Sequence, residues 1–167
     1  MKIFFLGIFA GAFLVPLFGF LYLRFGYVPM AVDGPVIPFE EMLAGSAIQA
    51  KIAREAPAQA GLPASDDNVT AGAALYRKHC IECHGLPGVA ATPSATGMYP
   101  APPQFFEQKM MGNEPVGQAY WIIRNGIRLT GMPGYKATLT EEQIWQLAQF
   151  LSRREALPPS AAAELRH

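Results

Sequence analysis

The sequence predicts an all-α protein: a single apolar membrane-spanning helix, a stalk, and then a small helical domain. Three observations predict it. Residues 3–23 carry no charged side chain. Residues 69–80, 115–125 and 140–154 place apolar side chains at helical spacing between recognisable start and stop signals. No segment alternates apolar and polar residues over the length of a strand. Composition narrows the class further. Hydrophobic residues make up 51% and charged residues 16%, which excludes a disordered chain. Thirteen basic residues balance thirteen acidic ones, which argues against a nucleic-acid partner held by a large basic field. Two cysteines are too few for a disulfide scaffold, and too few for a four-ligand zinc site unless other side chains join them.

Taken in order, Ile3 to Leu23 spans 21 residues and holds six of the eleven phenylalanines. As a helix it covers about 30 Å, the thickness of a bilayer core. A cleaved signal peptide has a shorter apolar core followed by small residues, whereas Arg24, Phe25, Gly26 and Tyr27 follow here, so residues 1–24 read as an uncleaved anchor. Pro16 lies mid-span and is tolerated in a membrane helix. Gly7, Gly11 and Gly19 read as ordinary glycine usage, with close approach of a partner helix as the alternative.

Residues 25–66 read as a stalk, rich in Pro and Gly at first, with a helix predicted over 38–56. Glu40 and Glu41 stand near its start and Lys51 and Arg54 near its end, in accord with the helix dipole. It packs either on the downstream domain or on a partner, and a solvated spacer is the third reading. The domain follows over 67–157. Its first helix is predicted over Val69–Cys80 with Asn68 as cap. The Gly- and Pro-rich stretch 85–103 predicts a long loop, 104–111 a short helix, and 115–125 a helix stopped by Gly126. Thr140 caps the last helix, which buries Ile144, Leu147, Ala148 and Leu151. Residues 158–167 are predicted to form a flexible tail.

Chemistry concentrates at Cys80-Ile81-Glu82-Cys83-His84, the C-x-x-C-H arrangement of covalent haem attachment. Two thiols at this spacing reach the two vinyl groups on one porphyrin edge, and the histidine that follows reaches the iron. A thioredoxin-like redox pair would need an α/β pattern, and zinc would need further ligands, for which His79 and His167 are the remaining histidines. His79 is read as pointing away on the same turn. A second axial ligand suits an electron carrier. Met132 lies in Gly131-Met132-Pro133-Gly134-Tyr135, 48 residues after His84, and is read as that ligand, with Met98, Met110 and Met111 as alternatives.

The stretches GAALYRKHCIECHG and GIRLTGMPGY together resemble a class I monohaem cytochrome c of the bacterial membrane-anchored type. The resemblance covers residues 69–155 and implies a cytochrome c fold around one covalent haem c. It implies Cys80 and Cys83 as thioether sites, His84 as the proximal ligand and Met132 as the distal one, with helices before the haem motif and after Met132 crossing each other. Pro100, Pro102 and Pro103 echo the family's proline-rich loop. Ile127, Leu129, Trp121 and Tyr135 line the haem pocket or simply pack the core. Arg124 and Arg128 pair with haem propionates or lie on a solvated surface. Trp145 is read as core.

The implied function is the carriage of single electrons between redox proteins, without bond chemistry of its own. Partners are then a donor and an acceptor, the membrane through residues 1–24, and alternatively the subunits of a respiratory or dehydrogenase complex. A haem sensor or peroxidase, with a vacant distal position, is the rival reading. Haem attachment in this family implies a haem domain in the periplasm, an anchor in the bacterial inner membrane and a cytoplasmic N-terminus.

Overall fold

The computed structural model describes residues 1–107 and 115–166. Among them are helices and loops with no strand: α1 (Lys2–Arg24), α2 (Glu40–Glu55), α3 (Asp66–His79), α4 (Ile81–His84), α5 (Pro93–Thr96), α6 (Val116–Asn125), α7 (Glu141–Ser152) and α8 (Pro159–Glu164). The chain divides into two compact units, Met1–Leu43 and Ala44–His167.

The first unit is dominated by α1. Its helix contains Pro16, buries no residue, and is long and apolar enough to be a candidate membrane span. Arg24 lies in its last turn, where a cation complements the helix dipole. Gly26, at φ 73°, then turns the chain, and Tyr27 stacks back on Tyr22.

In the second unit, α3 and α7 pack face to face, α6 lies on α7, and α8 lies on α3. Tyr76, Phe150, Ile144, Leu147 and Val69 are fully buried between them. The α3–α7 contact is close because Gly72 presents no side chain. A Cβ there would lie 2.8 Å from Phe150 Cβ and inside van der Waals contact of the Gln146 carbonyl. Helix α7 starts where Thr140 predicts. The Thr140 hydroxyl accepts from Gln143 N, and the Gln143 side chain accepts from Thr140 N, forming a capping box. Thr140→Ala is expected to destabilise the domain by about 1 kcal/mol, read as a lower urea midpoint with an unchanged slope.

Several boundaries differ from expectation. Helix α3 begins at Asp66, before Val69, because Ser65 and not Asn68 is the cap: its hydroxyl accepts from Asn68 N. Asn68 instead joins elements, donating to Pro63 O and accepting from Gln146. Helix α2 starts at Glu40, since Phe39 takes a left-handed conformation (φ 67°) and leaves Pro38 outside. The predicted loop 85–103 contains the one-turn helix α5, capped by Thr92. The short helix expected over 104–111 falls partly outside the described residues, and residues 105–107 form a turn.

The largest correction concerns the tail. Residues 158–166 do not form the flexible extension expected over 158–167, because Pro159–Glu164 is helical and docked on α3; His167 lies outside the described residues. Ala161 and Leu165 are buried there, and the Ser160 hydroxyl bonds to that of Thr70 at 2.7 Å. Small and apolar side chains that read as a frayed end thus complete the core.

The open question about α2 is also answered. Ile52 is buried, Trp121 Nε1 donates to Glu55 at 3.2 Å, and Gln149 donates to Leu62 O at 2.9 Å. Gly117 lets the backbone of Pro57 approach α6, and Gly61 lies beneath Trp145. The end of α2 and the linker after it therefore belong to the compact unit.

Candidate functional site

Helix α3 ends at His79, and Cys80 begins a tight turn that becomes α4. Cys83 N and His84 N both bond to Cys80 O, which holds the two thiols and the imidazole on one turn of backbone. Gly85, at φ 74°, ends it. The Tyr76 hydroxyl reaches forward from the core to donate to Gly85 O at 2.8 Å.

A proline-rich strap runs beside this turn. His84 Nδ1 lies 2.9 Å from Pro103 O, and Gln104 Nε2 donates to Cys83 O at 2.8 Å. A carbonyl only accepts, so Nδ1 carries the proton and Nε2 keeps its lone pair, the tautomer a metal-binding histidine requires. Burial holds the His84 imidazole below the ordinary histidine range, against the opposing effect of the Pro103 bond, and so favours the neutral ring. Phe105 stacks on that ring at 4.4 Å between centroids. Burial, with Cys83 as the lesser cause, pushes the Cys80 thiol up to about 12.

Met132 comes from the other side of the sequence. Its loop is tied to the end of α6: Ile127 N donates to Met132 O, Tyr135 N to Ile123 O, and Lys136 N to Arg124 O. Gly126 and Gly134 allow that contact, since a Cβ on Gly126 would lie 2.6 Å from Gly134 N. The Thr130 hydroxyl accepts from Met132 N at 3.1 Å and fixes the turn itself. The Tyr135 hydroxyl then crosses to donate to His79 O at 3.0 Å, linking the methionine loop to α3.

Cys80, Cys83, His84 and Met132 all line one cavity, whose other walls are chiefly carbon from Ile123, Leu147 and Leu151. Met98 lines it too, with Gly131 giving its sulfur room, while Met110 and Met111 lie outside the described residues. Tyr135 and Ile127 line the cavity as one reading expected. Trp121 is buried but bonds to Glu55, and Leu129 is 93% exposed, so neither forms the wall. Trp145 packs in the core, stacked on Tyr120. His79 does not point away: it lines the cavity and packs edge-to-face on Tyr135. Arg124 pairs with Glu141 on the surface and Arg128 is exposed, which leaves both out of the wall. The arginine in the wall is Arg154, buried in spite of its charge. Sequence reasoning missed it. It also missed Gln104 and the Pro103 carbonyl, for which the proline run was the only signal.

Residues 67–151 match a sequence model of the family described as cytochrome c oxidase, cbb3-type, subunit III. The chain belongs to this family. No curated protein and no solved structure matches it.

The cytochrome c domain makes this a haem-based electron-transfer protein rather than one that performs bond chemistry. Haem c, which the family implies, fits the residues present. The cavity is apolar, the thiols stand on its wall at the attachment spacing, and His84 offers Nε2. One guanidinium nitrogen of Arg154, Nη2, is buried with no hydrogen-bond partner among the described residues. Among the described residues, no three His, Cys, Asp or Glu side chains gather to hold an ion.

Proposed function

We propose that this protein is a membrane-anchored periplasmic c-type cytochrome that carries single electrons between redox proteins. Cys80 and Cys83 would hold one haem through thioether bonds, and His84 and Met132 would ligate its iron. The observation that carries the reading is the cavity that unites these four residues, with His84 Nδ1 committed to Pro103 O. Haem iron held this way supplies a one-electron couple, and a His/Met pair raises its potential.

The chain's own residues supply the rest. Pro103 orients the imidazole, and the carbon walls exclude water, which keeps the site's reorganisation small. The α6 contacts hold the Met132 loop in place so that ligation costs little conformational freedom. Residues 1–24 anchor the chain with its N-terminus in the cytoplasm, the segment from residue 25 to Leu43 acts as a stalk, and the compact unit that begins at Ala44 is the haem domain in the periplasm. The length and apolarity of α1 support the anchor.

The test is the absorption spectrum of the purified holoprotein. The ferric form is expected to show the far-red methionine–iron charge-transfer band, and Met132→Ala is expected to abolish it. A band that survives in Met132→Ala would move the distal role to another methionine, Met98 first.

The family's description favours a second reading, an electron-relay haem subunit fixed in a larger membrane oxidoreductase. Sizing in mild detergent separates the two: a free carrier elutes as a single small species, whereas a subunit elutes with its complex.

A further inference from the structure

Arg154 is the one buried arginine whose guanidinium the described structure leaves partly unpartnered. The residue is 8% exposed. Its Nη1 donates to Leu151 O at 2.8 Å, and its Nη2 has no hydrogen-bond partner among the described residues. The ion pairs among the described residues join Lys51 to Glu55, Arg124 to Glu141 and Arg153 to Asp66, and none includes Arg154. Its guanidinium carbon lies 5.6 Å from the centre of the Phe105 ring, and Phe105 is the ring stacked on His84. A cation is thus held against the same aromatic ring that stacks on the histidine.

Burying an uncompensated charge is costly, and a folded protein keeps one where it acts on something. We propose that Arg154 is a redox-tuning residue, a buried cation in the cavity wall that is ion-paired with no described side chain and that raises the potential of the haem. The proposal rests on His84 being the axial ligand. Oxidation adds one positive charge to the cofactor, and a fixed cation in a low-dielectric surrounding opposes that addition. Arg128 is exposed and screened by salt and water, and Arg124 is neutralised by Glu141 at the surface, whereas Arg154 is buried. The residue touches neither iron ligand in its hydrogen bonding and acts through space, so its signature is a potential and not an activity.

The test is spectroelectrochemical titration of the full-length holoprotein in detergent. In Arg154→Gln, which keeps an amide donor for Leu151 O, the ferrous-to-ferric ratio at a fixed solution potential is expected to fall at least about tenfold. That is about 59 mV for a one-electron couple. Arg154→Lys is expected to stay within about threefold of the parent. Leu157 lines a surface pocket together with Arg154, and Leu157→Glu supplies a counter-charge while leaving the arginine in place. It is expected to shift the ratio the same way, and it decides the matter alone should Arg154→Gln fail to accumulate with haem. An unchanged potential in a variant with the parent's spectrum overturns the proposal. So does a lowered potential that acquires a new pH dependence between about pH 5 and 8, because that marks a haem propionate released from pairing with the arginine. A parent protein lacking the methionine–iron band would count against the ligand assignment instead, which keeps the two failures apart.

Discussion

Gly72→Ala is expected to destabilise the second unit by at least about 3 kcal/mol, although the same change in an exposed helix stabilises by about 1 kcal/mol. The two effects are of opposite sign and the steric one wins. An added Cβ would stand 2.8 Å from Phe150 Cβ and 2.7 Å from the Gln146 carbonyl carbon. The obstacle is the backbone of α7, not the end of a flexible side chain. Relief requires α3 and α7 to separate along the seam that buries Tyr76, Phe150 and Leu147. Those helices also frame the cavity, since Tyr76 and Leu147 are part of its wall. With a total stability of about 5–15 kcal/mol for a domain, the loss is large. Urea unfolding of the holoprotein measures it, and a Gly72→Ala protein as stable as its parent would mean that α3 and α7 do not pack this closely.

The second large effect is expected from removing both thiols. Cys80→Ser with Cys83→Ser should abolish covalent haem, read as the loss of haem-stained polypeptide after denaturing electrophoresis. It should also lower stability sharply. The cavity wall is apolar on α3, α6 and α7 alike, and without a tethered group water meets that surface. Burial of apolar area is worth about 25 cal/mol per Å², and a bound group stabilises only the state that binds it. Single variants are expected to retain one thioether and a shifted absorption maximum. A double variant that kept haem on a denaturing gel would show that attachment lies elsewhere in the chain.

Much of the fold was legible because its signals are local. Thr140 and Gln143 begin α7 through bonds made within one turn of chain. Gly126 ends α6 with a left-handed φ that favours glycine. The spacing of Cys80, Cys83 and His84 is itself a statement of geometry, since a single turn carries all three. Helix α1 needs no partner to be recognised, because length and apolarity define it.

The misreadings share a different cause. Nothing in PPSAAAELRH distinguishes a frayed end from a docked helix until α3 offers a surface to Ala161 and Leu165. Asn68 and Ser65 are both good caps, and the choice between them depends on where Pro63 and Gln146 stand. Helix α2 carries Ile52 among polar residues, which reads as weak amphipathicity. Only the approach of Trp121 and the glycine at 117 makes it part of the core.

The sequence by itself determined that this protein is helical, that residues 3–23 form an apolar helix, and which two cysteines and histidine form the attachment motif. Each of these is encoded by neighbours within a turn or two, where chain connectivity already fixes the spacing. The tertiary structure alone decided that Met132 and His84 line one cavity, that Pro103 sets the histidine's tautomer, and that Arg154 rather than Arg124 stands in the wall. Those depend on segments far apart in the chain, and their meeting is set by how closely two helices pack at Gly72 and a loop packs at Gly126. Side-chain packing of that kind has no local period for a sequence to display.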